Sequence, residues 1–105
     1  MSRGAFPVRL PVVIRFPETA ARQDSWGRLE KLSGSDALLD TRTELRAGDR
    51  LFLDFDLAAE RFEGVAGEVR HAELDSDRYC RAEIRFTDEV LKRRLGAALL
   101  DLLSR

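Results

Sequence analysis

The alternation in "VRLPVVIRF" constrains the fold more than any other feature of the chain. Val8, Leu10, Val12, Ile14 and Phe16 occupy every second position, with Arg9, Pro11, Val13 and Arg15 between them. A period of two puts one set on each face of a β-strand. The same period returns in "LFLDFDL", where Leu51, Leu53, Phe55 and Leu57 point inward and Asp54 and Asp56 face water, with Phe52 breaking the rule on the outward side. It returns again in "VAGEVRHA" through Val65, Gly67 and Val69, and in "YCRAEIRF" through Cys80, Ala82, Ile84 and Phe86. "WGRLEKLS" and "ALLDT" read as two shorter strands. The period then changes. In "TDEVLKRRLGAALLDLLS", Leu91, Leu95, Ala98 or Leu99, and Leu102 recur at three and four, the spacing of an amphipathic helix. Thr87 is the expected N-cap, with Asp88 and Glu89 at the positive end of the helix dipole.

Six short strands and one helix in 105 residues make a single domain. Frequent turns between antiparallel strands favour a small barrel or a sandwich, with the helix packed against one end. Pro11 suggests an edge or irregular position in the first strand. The composition, 44% hydrophobic and 35% charged, is that of a folded domain. No apolar run reaches membrane-spanning length and the N-terminus has no secretory apolar core, so a cytoplasmic location without membrane insertion is expected.

Chemistry is sparse. The formal charge of -1 argues against binding a nucleic-acid polymer. His71 is the single histidine and Cys80 the single cysteine. Neither has a supporting nucleophile motif, so no catalytic residue is assigned and no enzyme is expected. Asp54 and Asp56 share a strand face without a third ligand, so no metal site or other cofactor is expected. Gly64 and Gly67 do not lead into a helix and form no phosphate loop.

"RLEKLSGSDALLDT", Arg28 to Thr41, poses the functional question. It reads strand, tight turn, strand, with Lys31 before the turn and Asp36 closing it. Together with the Arg-bearing N-terminus, "AGDRLFLDFDL", "FEGVAGEVRHA", "YCRAEIRF" and the closing helix, it resembles the PilZ domain over nearly the whole chain. The resemblance implies a mainly β fold, a six-stranded antiparallel barrel with one C-terminal α-helix. It divides residues 1–105 into an arm (1–8), a barrel (8–86) and a helix (88–104). It also implies a role in bacterial cyclic di-GMP signalling.

PilZ domains that bind this dinucleotide carry Arg-x-x-x-Arg in the arm and Asp/Asn-x-Ser-x-x-Gly at the turn between the second and third strands. Guanidinium groups grip phosphates and stack on guanine, while the acid or amide and the Ser hydroxyl contact guanine edges. Here Ser33 matches the motif Ser and Arg3 the first Arg. Pro7 replaces the second Arg, Lys31 the Asp or Asn, and Asp36 the Gly. Lys31 donates where an acceptor is wanted. Asp36 brings a negative charge that, at 4 Å from a phosphate, would cost about 4 kcal/mol at an effective dielectric near 20. An ion pair between Lys31 and Asp36 across the turn is expected to make these two residues structural. The expected function is therefore a non-enzymatic regulatory adaptor working by protein contact, with dinucleotide binding weak or lost. Two alternatives stand beside it. One is an atypical cyclic di-GMP receptor using Arg3, Arg9, Arg15 and Ser33. The other is a small structural or assembly module. A protein interface would draw on Trp26 and on Leu95, Leu99 and Leu102 of the helix; Trp26 also reads as a rim residue covering the core.

Overall fold

The computed structural model describes residues 5–104. Six strands run in the order β1 (Phe6–Arg15), β2 (Ser25–Leu32), β3 (Asp36–Thr41), β4 (Arg50–Leu57), β5 (Glu60–Leu74) and β6 (Cys80–Phe86), followed by helix α1 (Glu89–Leu103). They close into a barrel in the order β1-β2-β3-β6-β5-β4, every neighbouring pair antiparallel. Closure is made by a short seam, β1 pairing with β4 only at Val13–Arg15. The sheet is also irregular, with register shifts between Pro7 and Leu10, Leu29 and Lys31, Leu53 and Phe55, and Val69 and His71. Such bulges bend strands enough to close a small barrel. Pro11 lies outside Val13–Arg15, the only stretch of β1 paired with β4.

The alternating residues fill the barrel. Leu51, Leu53, Phe55 and Leu57 of β4 are buried, as are Val65, Gly67 and Val69 of β5 and all four inward residues of β6. Phe55 and Phe62 stack with ring centroids 5.4 Å apart. Gly67 is inward because nothing larger fits. A Cβ there would lie 2.6 Å from Ile84 Cγ2.

β1 begins at Phe6, so Phe6 and Pro7 belong to the sheet, opposite Leu32 and Lys31. The cap of α1 is Asp88, one residue after the expected Thr87. Its carboxylate accepts from Val90 N at 3.0 Å and Leu91 N at 3.2 Å. Asp outranks Thr as a cap and also carries the charge favoured at a helix N-terminus. α1 packs Leu95, Ala98 and Leu99 into the core and crosses the barrel end that holds the β2–β3 and β4–β5 turns. At the first, Gly34 sits against Gly96. At the second, Arg94 bonds Glu60 (Nε to Oε2, 2.9 Å) and lies over the Phe62 ring.

Candidate functional site

The turn between β2 and β3 is built around the Ser33 side chain. Ser33 is 3% exposed. Its Oγ accepts from Asp36 N at 3.0 Å and Ser35 N at 3.2 Å, and donates to Asp36 Oδ1 at 2.8 Å. Ser33 N donates to Asp36 O at 2.9 Å. A serine hydroxyl offers one donor and two acceptor lone pairs, and these contacts use all three. The turn is held from outside as well: Phe86 N donates to Ser35 O at 2.9 Å, and the backbone at Gly34 meets that at Gly96 of α1.

The expected ion pair between Lys31 and Asp36 is not among the salt bridges of the described residues. The Asp36 carboxylate is held by the Ser33 hydroxyl, while Lys31 is exposed opposite Pro7. Arg9 is exposed on β1 within the same bulged region. Arg3 lies outside the described residues. Arg15 sits at the other end of β1, nine residues beyond Phe6 or about 30 Å of extended chain. The structure thus does not bring Arg15 and Ser33 into one site.

Arg15 has a different partner. Its Nε and Nη2 meet Asp54 Oδ2 and Oδ1 at 2.9 and 2.8 Å, and Gly64 N donates to Asp54 Oδ1 at 2.7 Å. Asp54, expected to face water, is only 12% exposed at its side chain. Alternation placed it on the outer face correctly, but a long arginine from β1 folds over it. Burial pushes the Asp54 carboxyl up. The Arg15 hydrogen bonds, the Gly64 N–H and the positive charges of Arg15 and Arg61 together hold it below the usual carboxylate value. Asp56 remains exposed, 3.4 Å from Arg61.

Of the residues expected at an interface, Leu95 and Leu99 are buried, at 0% and 4% exposure, because they are the core-facing stripe of α1. Leu102 is at the margin. Trp26 is 70% exposed and does not cover the core. It borders a surface pocket of about 410 Å³ with Arg28, Asp40, Arg42 and Tyr79. The Arg42 guanidinium lies 5.0 Å from the Tyr79 ring centre. Asp40 Oδ1 is buried there with no hydrogen-bond partner among the described residues. Sequence reasoning missed this cluster because it gathers β2, β3 and the segment before β6. The one signal was a tryptophan on an outward strand position.

His71 and Cys80 do not meet. His71 is exposed and contacts Glu73 at 2.9 Å, whereas Cys80 is buried in the barrel. No cluster of three or more metal-ligating side chains occurs among the described residues.

Three solved structures share this architecture. The Bacillus subtilis inhibitor of motility MotI (DgrA) aligns at TM-score 0.73 and 12% identity, over 98% of this chain and 52% of that one. The PilZ domain of Escherichia coli YcgR, solved with c-di-GMP, aligns at TM-score 0.70 and 15% identity, over 99% and 93%. The chain has the PilZ fold. The PilZ domain of CeSA from a cellulose-synthesizing bacterium agrees, at TM-score 0.63 and 16% identity, over 96% and 98%. The chain thus spans about half of MotI and nearly all of the other two PilZ domains. No family profile and no curated protein sequence matches the chain. At this level of identity the PilZ likeness is one of fold, carried by barrel order and the closing helix.

Proposed function

We propose that this chain is a non-enzymatic, PilZ-type regulatory module of bacterial cyclic di-GMP signalling, working in the cytoplasm by protein contact, with dinucleotide binding weak or lost. The observation that carries the reading is the state of Ser33. Its hydroxyl, the one turn residue matching the PilZ binding motif, is buried and committed within its own turn. A dinucleotide would have to displace those bonds and approach the Asp36 carboxylate beside them. The contact surface proposed for the partner is the Trp26 patch. Trp, Tyr and Arg dominate the energetics of protein interfaces, and here Trp26, Tyr79, Arg28 and Arg42 border one pocket.

Titration calorimetry with cyclic di-GMP at physiological salt tests the reading. The expected result is no saturable heat at high protein concentration, with the fold verified by circular dichroism. Micromolar or tighter binding would refute the lost-site reading and favour a receptor centred on Arg9 and the arm.

A further inference from the structure

We infer that the Trp26 pocket is the seat of an arginine presented by the protein partner, its guanidinium stacked on the indole and bonded to Asp40. This rests on the proposed use of the Trp26 patch for partner contact and gives that partner a chemistry.

The chain itself leaves two groups of the pocket incomplete. The first is the Asp40 carboxylate. Its Oδ1 is buried with no hydrogen-bond partner among the described residues. Leaving a buried acceptor without a donor is costly, and native structures do it rarely. Two arginines stand opposite Asp40 in register, Arg28 on β2 and Arg81 on β6. Neither bonds to it. Arg28 donates instead from Nε to Glu30 Oε1 at 2.8 Å, and Arg81 makes no ion pair among the described residues. The second group is the Trp26 ring. Arginines of this chain lie over Phe16, Tyr79 and Phe62, at 4.1, 5.0 and 4.8 Å from the ring centres. Among the described residues no guanidinium lies over Trp26, which stands exposed and whose indole attracts cations more strongly than either other kind of ring.

One incoming group completes both. A guanidinium is planar, so its face stacks on an indole while its edge donates to a carboxylate. The Asp40 carboxylate turns about a soft terminal torsion, which lets either oxygen face the pocket. A pocket of about 410 Å³ has room for the head of that side chain. The two arginines lining the pocket are already engaged, Arg28 by Glu30 and Arg42 over Tyr79, and Arg81 does not line it. An acidic partner residue would meet Arg28 and Arg42 but bring no donor for Asp40 Oδ1, and would set a second negative charge beside it.

Trp26 is the single tryptophan, so its indole N–H gives one isolated signal in a nitrogen–proton correlation spectrum. The full chain is titrated with acetyl-Gly-Arg-Gly-amide and, separately, with acetyl-Gly-Glu-Gly-amide. The expected result is a saturable shift of the indole signal and of the Asp40 amide with the arginine peptide alone. Asp40→Asn should weaken that binding about tenfold, the effect of losing one charge-assisted hydrogen bond. It should leave the unfolding temperature unchanged or raised, because the free chain loses no bond to that side chain. A lowered unfolding temperature would overturn the inference, since an arginine of the chain itself would then be the donor. Arginine binding indifferent to Asp40→Asn would overturn it as well. An indole signal that moves on dilution of the protein alone would overturn it in favour of a second copy of the chain. Saturable binding of the glutamate peptide would overturn the basic occupant and leave the patch as a contact surface, whereas silence with both peptides would remove both readings.

Discussion

Asp54 offers the sharpest test of the energetics. Replacing it with Ala removes two bonds from Arg15, at 2.9 and 2.8 Å, and one from Gly64 N at 2.7 Å. The Arg15 side chain is 42% exposed and can rehydrate, so its two bonds together are assigned only about 1 kcal/mol. The Gly64 N–H is part-buried between β4 and β5, and losing its acceptor costs about 1–3 kcal/mol. Asp54→Ala should therefore lose about 3 kcal/mol. For a domain of this size that lowers Tm by roughly 10–20 °C. Asp54→Asn keeps an acceptor for Gly64 and should lose about 1 kcal/mol. The pH dependence has a definite sign. The Asp54 carboxyl titrates lower in the folded chain than in the unfolded one, so its contribution is present above the unfolded value near 3.9 and fades as pH falls through the folded one. The stability gap between wild type and Asp54→Asn should close in acid. Urea unfolding followed by circular dichroism measures both effects, because the exposed Trp26 is a poor fluorescent reporter. An Asp54→Ala protein within about 0.5 kcal/mol of wild type, the ordinary spread for surface changes, would refute the role given to this network.

Three further changes test local features. Ala58 and Ala59 join β4 to β5 with φ of 55° and 63°, a left-handed pair that costs alanine about 1 kcal/mol or more per residue; Asn-Gly in their place should raise stability by about 1 kcal/mol in the same urea assay. Gly67→Ala drives a Cβ to 2.6 Å from Ile84 Cγ2 and should lose about 2–3 kcal/mol, visible as a lower Tm. Ser33→Ala leaves the N–H groups of Ser35 and Asp36 without their acceptor and should lose about 1–2 kcal/mol in thermal unfolding with no ligand present.

What could be read from the sequence divides along a physical line. Core positions were legible because each strand repeats a local rule: inward residues of β4, β5 and β6 were assigned by alternation and are buried. The change to helical period located α1 for the same reason. What escaped depends on residues far apart in the chain. Asp54 alternates outward, yet Arg15, 39 residues away, covers it. Leu95 and Leu99 satisfied the helical period equally well as core or interface, and only the barrel's position relative to α1 decides for the core. Trp26 satisfied its strand period as rim cover or free surface, and the approach of Arg42, just after β3, and Tyr79, just before β6, makes it one wall of a surface pocket. The Lys31–Asp36 pair failed at shorter range: Ser33 reaches the carboxylate first.

The Ser33 turn bears on how a binding motif should be weighed in this fold. Two amides and a carboxylate of the turn depend on the Ser33 hydroxyl, so folding alone is sufficient reason for serine there. No such demand acts at the neighbouring positions. Lys31 is exposed, and Pro7 opposite it needs only to be compatible with a bulged strand end. Replacing a ligand-contacting acid or arginine at these places costs the barrel little. A PilZ-type barrel whose ligand contacts decay should therefore change at the flanking positions first and keep the serine; in this sequence Pro7, Lys31 and Asp36 depart from the binding motif while Ser33 and Arg3 match it. The surviving Ser33 reports on the turn, and evidence for ligand binding has to come from the positions the fold leaves free.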